Sequence, residues 1–240
     1  MIEVAPDAAG LALRAATRIV ATARRAVAER GECVIFLSGG STPRATYARL
    51  ATPDLAGQVD WSRVHLAFGD ERCVPQDDPR NNFRMVRDTL TTLIPIPTAN
   101  VHPIPVDRPP RDAALAYERT LRTLLGTNQP DLVLLGLGDD GHTASLFPGH
   151  AAVRERVRWV VAEEIPEQVM WRISVTPPLL NAAREVVFLV SGSGKADVLR
   201  SVLEPPRDPD SLPAQVIRPT NGRLEWIVDR AAAGPDGRRG

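Results

Sequence analysis

Runs of consecutive apolar residues alternate along the chain with stretches in which apolar and polar residues recur with the period of a helix. The uninterrupted runs predict strands that are buried on both faces, as in a parallel sheet between layers of helices. The predicted strands lie at residues 33–37, 64–68, 131–135, 172–175, 186–190 and 224–228; those at 33–37 and 186–190 are wholly apolar, and each of the others contains one or two polar residues. The chain therefore has the strand pattern of an α/β protein.

Amphipathic stretches between these runs predict helices that cover the sheet. They lie at residues 8–30, 43–50, 82–93, 112–125 and 196–203. Asp7 is suited to cap the first helix, Gly31 to end it, and Pro43 to open the second. The alternation of strands and helices predicts a three-layer α/β/α fold with a mostly parallel, doubly wound sheet.

The same alternation indicates one domain. Prolines are frequent between residues 95 and 110, so we expect an irregular surface connection there. Because the strand and helix pattern resumes after this segment, it is not interpreted as a domain linker. We predict a single domain over residues 1–230 and a flexible C-terminal tail over 231–240.

Composition and charge narrow the class of protein. With 43% hydrophobic and 24% charged residues, the chain is typical of soluble globular proteins, and its formal net charge is +0. No overall field would attract nucleic acid or an anionic membrane. We expect no secretory leader, because the acidic, alanine-rich start has no positive and apolar stretch, and no apolar stretch in the sequence is long enough to cross a bilayer. With only Cys33 and Cys73 present, we expect a cytoplasmic protein without a catalytic cysteine.

Four predicted strands end in polar loops that contain glycine, at residues 38–42, 69–72, 138–142 and 191–195. Because the carboxyl ends of parallel strands lie along one edge of a sheet, these loops are expected to converge on one ligand. Their convergence indicates a functional site more strongly than any single loop does.

The first of these loops, Ser38-Gly39-Gly40-Ser41-Thr42, lies between a predicted buried strand and a helix. Its glycines would let a phosphate approach the backbone, and free N–H groups at the helix start would face the negative charge. The alternative is a serine that caps an ordinary helix. The position between strand and helix favours the phosphate site.

Lys195 ends the last loop, after a glycine-rich stretch that invites comparison with a nucleotide P-loop. That interpretation fails, because Ala196 stands where Ser or Thr should meet magnesium and Leu189 where the first glycine belongs. Lys195 is still suited to pair with one phosphate as a point charge. A solvated surface lysine is the alternative.

Two loops carry residues suited to acid–base chemistry. His142 lies close to Asp140, and an imidazole beside a carboxylate can take a proton from water near neutral pH; a solvated glycine turn is the alternative. Asp70 and Glu71 precede Arg72, whose donor fork suits an oxygen that gains negative charge during acyl transfer. The two acids are expected to hold that arginine or the hydroxyls of a sugar.

Other chemistries are less favoured. His142, His150, Asp139 and Asp140 lie close in sequence but match no zinc-binding spacing, so no metal is expected. A serine hydrolase is not favoured either, because the chain has no Gly-x-Ser-x-Gly elbow.

Taken together, these loops resemble the glucosamine-6-phosphate isomerase/6-phosphogluconolactonase family, and within it the lactonases. The stretch Asp-Gly-His-Thr-Ala-Ser-Leu-Phe-Pro at 140–148 is the most specific match, whereas the glycine-rich and lysine loops are shared with the isomerases. The matching segments are 38–43, 69–75, 82–86, 136–148, 172–176, 192–195 and 213–215. Asn81 departs from the family, which commonly has Ser there.

The resemblance implies the fold of the glucosamine-6-phosphate isomerases and hydrolysis of 6-phospho-D-glucono-1,5-lactone without metal or organic cofactor. It implies that His142 is the general base, that Asp140 orients it, and that Arg72 stabilises the oxyanion. Asp70 matches a position that is a proton-shuttling base in the isomerases, and we count it among the candidate catalytic residues. The implied phosphate ligands are Gly39, Gly40, Ser41, Thr42, Arg172 and Lys195.

Two other functions remain open at this point. One is an isomerase or deaminase of an amino-sugar phosphate, which would use the same phosphate loop. The other is a sugar-phosphate sensor that does no chemistry. In each case the partner is a small sugar phosphate, with no nucleic acid or membrane, and the sequence leaves the oligomeric state open while slightly favouring a monomer.

Overall fold

The fold is built on a seven-stranded parallel sheet, and the computed structural model describes residues 1–234. The strands are β1 (Ile2–Ala5), β2 (Cys33–Leu37), β3 (Val64–Phe68), β4 (Asp70–Arg72), β5 (Val101–His102), β6 (Leu132–Leu135), β7 (Val160–Ile165), β8 (Met170–Val175), β9 (Glu185–Val190) and β10 (Arg223–Asp229). The helices are α1 (Ala8–Arg30), α2 (Ser41–Leu50), α3 (Pro53–Ala56), α4 (Asn82–Val86), α5 (Pro110–Leu125), α6 (Pro177–Leu180), α7 (Ala196–Leu203) and α8 (Arg230–Ala233). The predicted α/β class with a mostly parallel sheet flanked by helices is confirmed.

The order of strands in the sheet is β1-β10-β9-β6-β2-β3-β5. From β2 the chain builds outward through β3 to β5 and then returns to the other side of β2 to form β6. The loops after β2 and β6 therefore leave the sheet in opposite directions, which opens a crevice at the carboxyl ends of these strands. The adjacent strands β9, β6, β2 and β3 are those whose polar loops were expected to converge.

Helix α1 has the ends that the sequence predicts. Asp7 accepts a hydrogen bond from the backbone N–H of Gly10 at 2.7 Å, and Gly31 ends the helix in the left-handed conformation with φ +84°. The apolar face of α1 is buried, as the helical period of its alanines, leucines and isoleucine requires.

A second sheet was not predicted. It is antiparallel, has the order β4-β8-β7, and includes residues 70–72, which we expected to form a loop, and residues 172–175, which we expected in the main alternation. The chain leaves the parallel sheet at Gly69, whose N–H donates to Leu37 O while its carbonyl accepts from Val175 N–H. The residues of β4 are polar, and polar residues in sequence suggest a loop. In the fold their side chains bind partners distant in sequence and do not pack in an apolar core.

Two further strands were missed at the edges of the main sheet. β1 adds to β10, and β5 adds to β3 within the proline-rich segment that we expected to be irregular. In β5, Val101 and His102 make an edge strand of two residues, which is too short to give a sequence pattern.

Some helix ends differ from the prediction. α2 begins at Ser41, two residues before Pro43, and α4 ends at Val86, followed by a π-helical turn through Thr91. Threonine hydroxyls donate to upstream carbonyls in this turn, and such bonds compete with regular helix. Helix α8 occupies residues 231–233 of the expected tail, since Asp229 caps it, and residues 235–240 of that tail lie outside the described residues.

No helix within residues 1–234 is long and apolar enough to cross a membrane.

Candidate active site

A cleft of about 310 Å³ lies at the carboxyl ends of the central strands. The four loops that were expected to converge all line it, and of the predicted site residues only Asp140 does not line it, lying beside the cleft in contact with His142. A cavity of about 340 Å³ between β1, α7 and α8 is lined mainly by aliphatic side chains. The chemically reactive groups are therefore concentrated in the cleft.

His142 is held by Asp140 at the edge of the cleft. Its Nδ1 lies 2.5 Å from Asp140 Oδ1, which also accepts the His142 backbone N–H at 3.0 Å. Because an ionised carboxylate can only accept, Nδ1 carries the hydrogen, and the neutral ring presents the lone pair of Nε2. The ring also packs on Phe147, with 4.4 Å between ring centroids. This arrangement leaves His142 able to accept a proton.

The carboxyl group of Asp140 is tuned to stay ionised. Burial by itself would raise its pKa, but the hydrogen bonds and charge of His142 outweigh burial and hold the pKa below its ordinary value. Asp140 therefore carries its negative charge at neutral pH, which fixes the tautomer of His142.

Gly138 makes room for the imidazole. A Cβ at this position would lie 2.0 Å from His142 Nδ1 and 2.3 Å from its Cε1, far inside contact distance. The loop closes through Gly138 N–H, which donates to His142 O at 2.8 Å, and Gly141 turns it with φ +81°. The His142 ring can therefore occupy this position only because Gly138 has no side chain.

We expect Gly138→Ala to lower kcat by at least about tenfold, because displacement of a catalytic group by about 1 Å can cost about 10²-fold. Steady-state kinetics test this. The matched control is Gly69→Ala, where a Cβ would meet only an ordinary contact, 3.5 Å from Leu37 O. Equal turnover by the two variants would contradict this role of Gly138.

The loop at 38–42 leads into helix α2 without a side-chain cap. Gly40, in the cap position, has φ +104°, and within the described residues no side chain bonds to the N–H groups of the first turn. This arrangement disfavours the serine-cap alternative and leaves donors for an anion. Gly39 is required for packing, because a Cβ there would lie 1.9 Å from Asn82 Oδ1.

Lys195 reaches the cleft from the loop after β9. Its Nζ lies 2.5 Å from Oδ1 of Asp139, on the loop after β6, so the two loops are joined by an ion pair. Lys195 is the only lysine in the sequence, and every other cationic side chain is an arginine. A single lysine among so many arginines marks this position in the sequence as a candidate for a special role.

Asp229 holds the loop that carries Lys195. Its carboxylate accepts the Ser191 hydroxyl and the Gly192 N–H at 3.1 Å, and it caps α8 through Ala232 N–H at 2.7 Å. Burial would raise the pKa of Asp229, but these three partners outweigh burial and lower it. Asp229 was missed because its partners at the loop lie 37 and 38 residues away in sequence.

Arg72 lines the cleft and has one side-chain nitrogen without a partner. Its Nε and the hydroxyl of Ser38 are the buried side-chain polar atoms without a hydrogen-bond partner within residues 1–234. Both residues line the cleft, and Nη1 of Arg72 is anchored by the carbonyl of Arg80 at 2.7 Å. Leaving a buried donor unpaired costs about 1–3 kcal/mol, and both of these atoms belong to residues that line the cleft.

Asp70 pairs with Arg172 instead of Arg72, which corrects our expectation for the two acids. Its Oδ2 lies 3.3 Å from Arg172 Nη2 and 2.6 Å from the Ser145 hydroxyl, which in turn accepts Arg172 Nε at 2.9 Å. Arg172 Nη1 reaches Gln168 at 3.3 Å, so the whole guanidinium is engaged. Arg172 is a cross-strand neighbour of Arg72, and the cleft therefore gains two adjacent cations.

Glu71 supports the backbone instead of a side chain. Its carboxylate accepts the N–H groups of Arg72, Asn82 and Phe83 at 2.7–2.9 Å, and so it joins β4 to the start of α4. Burial raises its pKa to about 7, although these three bonds oppose the rise. The side chain of Asn82 donates to Asp70 O at 3.0 Å and packs against Gly39.

Two buried tyrosines fix the ends of β2 and β3. The Tyr47 hydroxyl accepts from Ser38 N–H and donates to Ser38 O, and Tyr117 does the same at Phe68. Burial raises the pKa of each hydroxyl, so both stay neutral donors. They satisfy backbone groups where the chain leaves the sheet for the cleft.

Neither cysteine is suited to be a nucleophile. Cys33 is buried in β2, and burial raises the pKa of the half-buried Cys73 to about 11.

Within residues 1–234 no group of three or more His, Cys, Asp or Glu side chains could hold a metal ion. His150 lies outside the cleft lining, beside Glu163.

Comparison with known proteins gives consistent matches. The family profile described as glucosamine-6-phosphate isomerases/6-phosphogluconolactonase matches residues 6–226. A 6-phosphogluconolactonase of a Synechocystis species is 40% identical in an alignment of 225 residues that covers 91% of this chain and 91% of its own. A 6-phosphogluconolactonase of Mycobacterium tuberculosis is 39% identical over 97% of this chain and 96% of its own.

Solved structures give the same result for the fold. The crystal structure of a 6-phosphogluconolactonase from Thermotoga maritima aligns with a TM-score of 0.83 and 30% identity, over 96% of this chain and 99% of that one. A monomeric glucosamine-6-phosphate deaminase aligns with a TM-score of 0.82 over 99% of each chain. At 21% identity, the second match shows the shared fold alone.

Proposed function

Because the chain belongs to the glucosamine-6-phosphate isomerase/6-phosphogluconolactonase family, we propose that it hydrolyses 6-phospho-D-glucono-1,5-lactone to 6-phospho-D-gluconate, a step of the oxidative pentose phosphate pathway. The observation that carries the proposal is the imidazole of His142, held at Nδ1 by Asp140 beside a cleft lined with cations.

In the proposed reaction a water molecule attacks the lactone carbonyl while His142 Nε2 removes its proton. The ring C–O bond then breaks, and the proton returns from the imidazolium to the leaving alkoxide, which gives the hydroxyl of the open-chain acid. Asp140 stabilises the imidazolium through Nδ1. No covalent enzyme intermediate, metal or organic cofactor is needed.

Arg72 is the proposed oxyanion stabiliser. Its Nε is buried and unpaired while Nη1 is anchored, so the donor is fixed before the substrate arrives. Such preorganised donors contribute most where charge develops in the transition state. The neighbouring Arg172 adds positive charge and is itself held by Asp70, so we propose that Asp70 positions this arginine and is not a free base.

The proposed phosphate pocket combines the loop at 39–42, Lys195 and the charge of Arg172. The N–H groups at the start of α2 supply directional donors, and Lys195 supplies a mobile point charge. All of these groups belong to one chain, so the proposed pocket calls for no residue from a second copy. Two unpaired cysteines support a reducing, cytoplasmic location.

We expect Lys195→Ala to raise KM for the lactone by about tenfold with little change in kcat, because a phosphate contact far from the reacting carbonyl binds ground and transition states alike. Initial rates over a range of lactone concentrations test this. An unchanged KM would mean that Lys195 does not touch the substrate.

The rival function is that of an amino-sugar-phosphate deaminase. The shared fold is the only observation that supports it. Ammonia release from glucosamine 6-phosphate, measured beside lactone disappearance on one preparation, separates the two. We expect lactone turnover without ammonia. Ammonia release as the faster reaction would overturn the proposal, and phosphate binding with neither reaction would indicate a sensor.

A further inference from the structure

The ion pair between Asp139 and Lys195 uses the cation that the proposed function gives to the substrate. Lys195 Nζ lies 2.5 Å from Asp139 Oδ1, and both residues line the cleft. The Asp139 side chain is 88% exposed and that of Lys195 26%, so the carboxylate lies on the solvent side of the ammonium. We infer that Asp139 is an internal competitor that holds Lys195 in the free enzyme and is displaced by the substrate's phosphate dianion.

The type of cation fits this exchange. An arginine can grip an exposed aspartate at two points, as Arg49 does with Asp54 at 2.9 and 2.7 Å. Lys195 makes a single contact with Asp139 through a compact head with three donors. A lysine can therefore turn from carboxylate to phosphate without breaking a bidentate pair, and the chain has its only lysine at this point.

The strength of the pair also fits. An ion pair as exposed as this one shifts an equilibrium by no more than about fivefold. A phosphate dianion carries roughly twice the charge of Asp139 and can displace it, whereas a monoanion gains little over the carboxylate already in place. Asp139 therefore makes the pocket selective for doubly charged phosphate groups. This inference rests on the proposed function, which supplies the phosphorylated substrate.

The test variant is Asp139→Asn, which keeps the size of the side chain and removes its charge at an exposed position. We expect the dissociation constant of inorganic phosphate at pH 8, measured by calorimetry, and KM for the phosphorylated lactone each to fall by about two- to fivefold. The gain is expected only for ligands that carry a phosphate, so kcat/KM for unphosphorylated glucono-1,5-lactone should not rise. A phosphate dissociation constant that is unchanged or raised would overturn the inference.

Asp197→Asn is the matched control. Asp197 lies two residues beyond Lys195 and is 92% exposed, but it pairs with Arg200. Its removal changes the net charge equally and is expected to leave phosphate binding unchanged. An equal gain in this variant would mean that net charge, and not contact with Lys195, is responsible.

The decisive comparison repeats Asp139→Asn in a Lys195→Ala background, where the gain in phosphate affinity should vanish. A gain that persists without Lys195 would overturn the inference. Lactone turnover by the wild type is measured separately, so its absence would refute the proposed function, whereas turnover without tighter phosphate binding in Asp139→Asn would refute only this inference.

Discussion

Replacing His142 by alanine is expected to lower kcat for lactone hydrolysis by about 10²–10⁴-fold, the usual contribution of a well-placed general base. Without the imidazole, the attacking water must lose its proton to solvent. KM is expected to change much less, because the phosphate pocket is built from other loops. Steady-state rates corrected for spontaneous lactone opening measure both constants.

The matched control for this variant is His150→Ala. His150 lies on the same segment but outside the cleft lining, with its Nδ1 3.6 Å from Glu163. It is expected to turn over at nearly the wild-type rate. Circular dichroism and the melting temperature show whether both variants are folded. Near-normal kcat in folded His142→Ala would refute the histidine mechanism.

Replacing Arg72 by methionine is expected to lower kcat by about 10²–10³-fold, the usual cost of losing one oxyanion donor. Methionine keeps the length of the side chain but supplies neither charge nor N–H groups. The specific reason for this expectation is that Arg72 lines the cleft with an unpaired Nε and an anchored Nη1. Arg72→Lys, which restores charge without the planar fork, should recover only part of the loss.

Arg80→Lys is the control for Arg72. Its side chain is exposed and pairs with Asp78, while its backbone carbonyl, which anchors Arg72, is retained in the variant. Turnover should stay at the wild-type level. If Arg72→Met and Arg80→Lys had equal kcat values, Arg72 would have no part in the chemical step.

The sequence was sufficient for the main sheet and for the convergence at its edge. Strands β2, β6 and β9 are buried on both faces, so each contains an uninterrupted apolar run that ends where the polar loop begins, and β3 departs from this only at the half-buried His65. The parallel arrangement then requires those loops to lie at one edge. This is why residues as distant as Gly39 and Lys195 could be assigned to one site from sequence.

The second sheet and the supporting contacts could not be predicted in the same way. The acidic and basic residues of β4 are buried by partners such as Arg172, more than 100 residues away, so neither periodicity nor local composition identifies a strand. Asp229 and Tyr47 likewise act through contacts that exist only in the folded chain. The sequence therefore identified the candidate residues that line the cleft but, apart from Asp140 beside His142, not the contacts that hold them in place.

The most direct test of the central claim is pH-stat titration of acid release from freshly prepared 6-phosphogluconolactone by the wild-type protein. We predict release far above the spontaneous rate, proportional to enzyme concentration and slowed by inorganic phosphate. Release at the spontaneous rate at every enzyme concentration would contradict the account.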